Sequence, residues 1–553
     1  MTDMTQTQTH PTHPQHPTHP QPAPARPWPA LWALVIGFFM ILIDTTIVSV
    51  ATPTIMGKLN ADVNNVVWVT SAYLLAYAVP LLITGRMGDR YGPKNLYLAG
   101  LTLFTLASLW CGLSGTGVLT IHDGITTLII ARVVQGLGAS LMTPQTMSVI
   151  TRTFPPERRG TAMALWGSVA GVAILVGPIL GGVLVDSLGW EWIFFVNVPI
   201  GVIAFVAAFI LVPRLETHAH RFDILGVILS GIAMFLLVFG IQEGETYHWG
   251  TITGPITVWG LIIAGIVVMA AFVLWQHLNS GEPLLPLRLF TDRNFTLANI
   301  GITAMGFAVT CMAFPMMLFA QSARGLTPTH AALLLTPMAV ISAGLAPVVG
   351  KAMFKVNPKW FTIAGFLLLS VALVVYWSMM TPGHSILWLL VPSAIMGVAN
   401  AGIWGPMSVT ATRNLSPRDA GAGSGVYNTT RQIGSVLGSA AISALIQARL
   451  VANMPTGGGT APRQASFGGG RLPAFLEEGF SRAMGQTLLL PAAVAVIGVV
   501  AALFFAKPIV KAAWPRPAAA PVREAAAAST TTVEADQPET PRPTAEPVPA
   551  DLR

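Results

Sequence analysis

Uninterrupted apolar runs, such as Leu31 to Ala51 and Gly485 to Ala506, constrain this chain more than any other feature. About 20 apolar residues cross ~30 Å of hydrocarbon at 1.5 Å rise per residue, so each run has the length of a membrane-spanning helix. Charged residues make up only 10% of the chain and hydrophobic residues 53%. A soluble domain carries about 25% charged residues, and a water-facing surface cannot be covered with fewer than half of that. The first 29 residues are polar and rich in Pro, His and Thr, with no apolar core before a cleavage site, so the first span is expected to act as an uncleaved insertion signal.

The runs predict fourteen spans, at 31–52, 66–85, 96–114, 125–148, 161–185, 191–212, 223–241, 255–276, 296–319, 328–349, 360–379, 386–408, 421–446 and 485–506. Basic residues sort by loop. The loops after the even spans 2 to 12 hold Arg86, Arg90, Lys94, Arg152, Arg158, Arg159, Arg214, Arg221, Arg288, Arg293, Lys351, Lys355, Lys359, Arg413 and Arg418. The short loops on the other face hold Lys58 and Arg324. The positive-inside rule then predicts a cytoplasmic basic face, with both termini on that side. The net charge of +7 is explained by this topology and gives no sign of a nucleic-acid partner. Cys111 and Cys311 fall within apolar spans and are expected to be small packing residues, with no disulfide and no metal site.

Residues 1–29, with His10, His13, His16 and His19, and the Ala/Pro/Glu-rich residues 507–553 are expected to be disordered cytoplasmic tails. Spacing of three would put the four histidines on one face of a polyproline II helix, but a low-complexity tail is the simpler expectation. A long outside loop covers 447–484, in which Leu472 to Met484 could form an amphipathic helix lying at the membrane interface. The sequence GRMGDRYGPK at 85–94 is echoed by GKAMFKVNPK at 350–359. The simplest organisation is two related six-span halves, 30–212 and 295–506, with two inserted spans within 213–294. Duplicated halves around a central site are a mark of transporters.

Nearly every charge lies in a loop or at a span end. The exceptions are Asp44, Arg132 and Arg431. A charge at mid-membrane costs several kcal/mol unless paired or hydrated, so each is a candidate functional group. Asp44 lies about 20 Å into span 1 from the basic face, and Arg132 about 10 Å into span 4 from the other. In a core ~30 Å thick those depths coincide. A water-accessible pair in one cavity is expected, in which a proton on Asp44 would release Arg132. A permanent structural ion pair is the alternative. Arg431, beside Gln432, has no acidic partner within the second-half spans and either faces the same cavity or bonds backbone carbonyls.

Several motifs together resemble the major facilitator superfamily, specifically its fourteen-span drug:proton antiporters of the EmrB/QacA type. The resemblance covers roughly residues 30 to 506. GRMGDRYGPK, with Gly85, Asp89, Arg90, Gly92 and Lys94, looks like the loop signature after span 2. ARVVQGLGAS, with Arg132, Gln135, Gly136 and Gly138, looks like the proton-coupling motif of span 4. GSVAGVAILVGPILGG, with Gly177, Pro178, Gly181 and Gly182, looks like the span 5 antiporter motif. LIDTTIVSVATPTI around Asp44 and RQIGSVLGSA at 431–440 are similar to the spans 1 and 13 of such exporters. Two departures stand out: Trp190-Glu191-Trp192 where the family has Trp-Arg-Trp, and Phe354 where the first loop copy has Asp89.

The resemblance implies an all-α transporter fold, proton coupling through Asp44 and Arg132, and a gate at 85–94 in which Asp89 and Arg90 pair or cap a helix. The span 5 glycines and Pro178 are expected to make a bendable helix between the halves. The energy source is the proton gradient, with no cofactor; no GxxxxGK[ST] loop for ATP occurs. Arg431, Gln432, Phe314, Met316, Met317 and Trp404 are expected to line a cavity for small amphipathic substrates. A monomer in the bacterial inner membrane is expected. Export of one endogenous lipid or metabolite, or a transporter-like sensor, are the competing readings. A membrane enzyme is disfavoured because no HExxH-type cluster occurs.

Overall fold

The structure is a computed structural model that describes residues 27–215, 217, 223–279, 281, 283–353, 355–415, 420–454 and 472–506. The expected tails (apart from Pro27 to Pro29), His10 to His19, Arg221, Phe354, Arg418 and the glycine-rich centre of the 447–484 loop lie outside the described residues, as does the side chain of Asp89.

The first half comprises α1 (Pro27–Leu59), α2 (Val63–Ala78), α3 (Leu81–Tyr91), α4 (Pro93–Leu113), α5 (Gly124–Thr153), α6 (Pro156–Ser187), the single turn α7 (Trp192–Phe195) and α8 (Asn197–Leu211). Two inserted helices follow, α9 (Ile224–Gln242) and α10 (Val258–Leu278). The second half comprises α11 (Arg293–Leu318), α12 (Pro328–Leu333), α13 (Thr336–Ala352), α14 (Pro358–Met379), α15 (Leu390–Thr412), α16 (Ala420–Asn453), α17 (Ala474–Thr487) and α18 (Leu489–Leu503). Among the described residues, 12 helices are long and apolar enough to cross a membrane. The two predicted spans outside that set are α2, whose 16 residues are continued by α3 after a break at Val79 and Pro80, and α6, a helix of 32 residues.

Short polar residues start many of these helices. Asp62, Asp123 and Asp292 each accept a hydrogen bond from the backbone N–H three residues on, at 2.7, 2.6 and 2.7 Å, which satisfies a donor that the helix leaves unpaired. Gly92, at φ 89°, is the corner between α3 and α4, where a side chain would be strained.

The sequence repeat extends into packing detail. Lys94 Nζ donates to the carbonyl of Phe209 at the end of α8, at 2.6 Å, and Lys359 Nζ donates to that of Leu503 at the end of α18, also at 2.6 Å. Each lysine caps the carbonyl end of the last helix in its half, where a cation is favoured. Six residues further on, a Cβ on Gly100 would lie 2.8 Å from Gly138 O, and one on Gly365 would lie 2.9 Å from Ala399 O. Both glycines let a helix pair of their own half pack backbone to backbone.

Sequence reading missed a two-stranded hairpin, Thr251–Thr253 with Ile256–Thr257, between α9 and α10. The segment expected at the interface is indeed helical in α17, but Phe480, Ser481, Ala483 and Met484 are buried against the bundle, and α17 leads straight into α18. Its apolar face is covered by α16 rather than by lipid headgroups.

Asp223 pins the inserted pair. It caps α9 and accepts hydrogen bonds from Trp275 Nε1 and Gln276 Nε2 of α10, both at 2.7 Å. Burial opposes its charge, but these donors outweigh burial and hold the carboxyl below its usual range. Its stabilising contribution is therefore present at neutral pH and fades as pH falls through the folded-state value. Asp223→Ala strands the buried Gln276 amide and the half-buried Trp275 indole N–H, and thermal unfolding of the purified protein should show a loss of about 1–3 kcal/mol.

Candidate functional site

Five helices converge on Asp44. Its Oδ2 accepts from Arg132 Nη1 at 2.5 Å, and its Oδ1 accepts from Gln135 Nε2 at 2.9 Å and Asn197 Nδ2 at 3.0 Å. Ser108 Oγ lies 2.6 Å from Gln135 Nε2 and 3.2 Å from Asn197 Nδ2. Arg132 Nε donates to the Val69 carbonyl at 3.2 Å, and its guanidinium lies over the Tyr73 ring at 3.9 Å from the centroid. Asp44 and Arg132 are both 0% exposed.

The depths inferred from sequence thus bring the two charges together. The expected water access is not met in this conformation. The ring of Tyr73, the neighbouring Phe194 and the tight packing of α1 on α5 seal the pair. Sequence reasoning missed Ser108 and Asn197 in the carboxylate's shell, whereas Gln135 belongs to the span 4 motif it had singled out. Asn197 was findable as a lone amide in the apolar run FFVNVPIGV. Arg132 and Gln135 sit three apart on α5, one face of a helix. Arg132 Nη2 is buried with no hydrogen-bond partner, so the guanidinium is held strongly at one edge only.

Among the described residues, four hydrogen bonds that join the two halves lie toward the end opposite the basic residues. Asn64 accepts from Ser443 at 3.0 Å, and Ser71 and Ser439 share a bond of 2.6 Å. Gln321, in a π-helical turn Phe319–Ala323, donates to the Val50 carbonyl at 2.9 Å, and Asp186 accepts from Thr329 N at 2.9 Å. The inserted pair reinforces this seam: Glu243, after α9, accepts from Asn64 at 2.8 Å and Trp68 at 2.6 Å. This end of the molecule is closed.

The span 5 glycines divide their work. A Cβ on Gly177 or Gly181 would strike Thr46 or Ile47 of α1, within the first half. Only Gly182 touches the other half, where a Cβ would lie 2.6 Å from Thr329 Cα and 2.9 Å from Pro328 O. Pro178 is buried within α6. Gly177 and Gly181 are therefore packing positions on α1, and Gly182 is a packing position on α12 of the other half.

At 85–94, Gly85 makes ordinary contact with Pro144, and Arg90 is exposed with its guanidinium 5.6 Å from the Tyr91 ring centroid. Gly88 faces the Gln145 amide, which donates to Thr84 O at 2.8 Å. The Asp89 arm of the expected latch is outside the described side chains. Of the expected cavity residues, Phe314, Met316 and Met317 are 2%, 1% and 1% exposed within the main core, so none lines open space in this closed arrangement. Trp404 and Arg431 are partly exposed and face each other, at 6.0 Å from guanidinium carbon to ring centroid, while Gln432 is buried. Trp190 is buried, Trp192 is exposed, and Glu191 lies in the turn between them at the closed end. Cys111 and Cys311 are buried free thiols.

A bundle of apolar helices long enough to cross a membrane, with a sealed ion pair and a polar seam between its halves, is the architecture of a polytopic membrane protein. Residues 34–439 match the model of the Major Facilitator Superfamily, and the chain belongs to that family. It is 52% identical over 482 residues to an uncharacterized MFS-type transporter of Mycobacterium tuberculosis, covering 86% of this chain and 81% of that protein. It is 30% identical over 515 residues to the tetracenomycin C resistance and export protein of Streptomyces glaucescens, covering 87% and 92%. The fold is similar to a bacterial homolog of the human lysosomal transporter Spinster, solved in an inward-facing and unoccupied conformation, with TM-score 0.56, 17% identity, and 87% and 98% of the two chains covered.

Proposed function

We propose that this protein is a proton-driven antiporter that exports small amphipathic or hydrophobic compounds across the bacterial inner membrane, with fourteen spans and both termini in the cytoplasm. The observation that carries the coupling is the sealed Asp44 carboxylate, whose one cationic partner is Arg132. Protonation of Asp44 removes the counter-charge that Arg132 has in this structure, and an uncompensated buried charge costs about 3–5 kcal/mol. The ionised and protonated forms therefore favour different packings around α1 and α5, and a ligand or proton can shift a conformational balance only through such a difference. The export direction and the substrate class come from relatives named for resistance and export.

Alternating access follows from the duplicated halves. The four-bond seam and the Gly182 contact close one end. Proton uptake by Asp44 from outside returns the outward-open form to this closure, and proton release inside readies it for the next substrate. The test uses inside-out vesicles carrying the full chain, with a proton gradient imposed and an amphipathic fluorescent dye outside. Dye should accumulate against its gradient and stop when a protonophore collapses the pH difference. A sensor predicts no flux, and a transporter of one endogenous compound predicts flux for that compound but not for the dye.

A further inference from the structure

The cation left over by the coupling cluster is Arg431. It lies on the second-half helix α16, directly along the seam that starts at Asn64–Ser443 and continues at Ser71–Ser439. Arg431 lies two turns further along α16, which packs against α2 of the first half. Arg431 is thus between the halves, about 10 residues into the apolar stretch and deep in the hydrocarbon region.

Its surroundings differ from those of Arg132. Among the described residues no carboxylate pairs with Arg431, and its guanidinium makes no hydrogen bond. Its contact is the face of Trp404. A cation–π contact is much weaker than the carboxylate and carbonyl that hold Arg132. The hydroxyl of Tyr427, one helical turn before Arg431 on the same face, is buried with no hydrogen-bond partner. The Tyr77 hydroxyl, in contrast, is engaged with Thr143 at 2.8 Å. A free guanidinium fork, a free phenol and an indole face, all at mid-membrane and at the interface of the halves, form an unfilled recognition set.

We propose that the preferred substrates are amphipathic acids, held with a carboxylate, sulfonate or phenolate on Arg431 and Tyr427 and with an aromatic or apolar body against Trp404. The assignment rests on the exporter reading. A planar guanidinium offers paired N–H donors that match a two-oxygen anion, which an ammonium cannot. The same positive charge repels organic cations, and the deep carboxylate of Asp44 is occupied by Arg132. Selection therefore runs opposite to that of a site lined with free acidic groups.

The experiment uses the full chain in proteoliposomes with an imposed proton gradient and three probes. Anilinonaphthalene sulfonate and phenylnaphthylamine share a ring skeleton and differ in the anionic group, and ethidium supplies a cation. Wild type should move the sulfonate in preference to both others. Arg431→Gln should lower the sulfonate-to-amine flux ratio by about 10-fold or more, as expected for loss of a charged hydrogen bond. Arg431→Lys should retain an intermediate ratio. The proposal is overturned if wild type prefers ethidium or the neutral amine, or if Arg431→Gln leaves the ratio unchanged. The wild-type preference is read without any variant, so a misfolded Arg431→Gln does not shield the proposal. No gradient-driven movement of any probe overturns the exporter reading and this assignment with it.

Discussion

Asp44→Asn should abolish uphill, gradient-driven transport while leaving substrate-for-substrate exchange measurable. The amide has nearly the shape of the carboxyl but carries no charge and takes up no proton, so it imitates one protonation state permanently. Arg132 then keeps its bonds to Gln135 and Val69 but loses its counter-ion. Such a buried, uncompensated charge costs about 3–5 kcal/mol, so the variant should also unfold more readily. Those two effects are separable. In the double variant Asp44→Asn with Arg132→Gln the stranded cation is gone and stability should return, whereas coupling should not. A structural ion pair predicts the reverse: the double variant regains both. Gradient-dependent transport at the wild-type level by Asp44→Asn alone would remove the carboxylate from the mechanism.

The second large effect is expected at Gly182. Its α-carbon is where the first half meets the backbone of Pro328 and Thr329 in the second, and there is no space for even a methyl group. Main chain cannot swing aside as a long side chain can. Gly182→Leu should therefore wedge the closed end apart. Overpacking costs about 1–3 kcal/mol, which changes the ratio of closed to open forms by roughly 5- to 150-fold. The neighbouring bond between Asp186 and Thr329 N would be lost in the same step. Spin labels at Val118 and Leu387, exposed on the closed end of either half, report the change as a longer distance. The native thiols are buried and do not interfere. Gly177→Leu should instead disturb α1 against α6 and lower stability without favouring the open form, because its partner Thr46 belongs to the same half. An unchanged label distance in Gly182→Leu would show that this contact does not hold the gate.

The fold was legible because its physics is one-dimensional. Span length and loop charge can be read directly along a chain, and a helix in lipid must satisfy its own backbone groups. The meeting of Asp44 and Arg132 was legible for the same reason, since depth in a bilayer is a coordinate that sequence encodes. What sequence did not encode is azimuth. Nothing in the run of glycines distinguishes Gly182, which faces the other half, from Gly181, which faces α1. Likewise Phe314, Met316 and Met317 have the chemistry of a promiscuous cavity, but an apolar residue packs equally well into a core, and all three do so here. Asn197 and Ser108 were overlooked because each is a small polar residue near the end of an apolar run, where a capping role is the ordinary explanation. The hairpin between α9 and α10 has only a few residues per strand, too short to show alternation.

Glu243 illustrates the same limit. It lies just beyond the predicted span 223–241, yet it ties the inserted helices to Asn64 and Trp68, and Asn64 in turn reaches Ser443 of the other half. The inserted pair is thereby connected to the closure itself. Its place in the sequence, between two related halves, gives no hint of that.

The central proposal is that protons, carried by Asp44, are exchanged for substrate. Its most direct test is to drive the cycle backwards in proteoliposomes containing a trapped pH-sensitive dye, with no pH gradient at the start and substrate supplied on one side. Wild type should move protons against the substrate flow, so that the compartment losing substrate acidifies, and Asp44→Asn should show substrate movement with no change in the dye signal. Substrate flow through wild type with a flat pH trace would contradict the account.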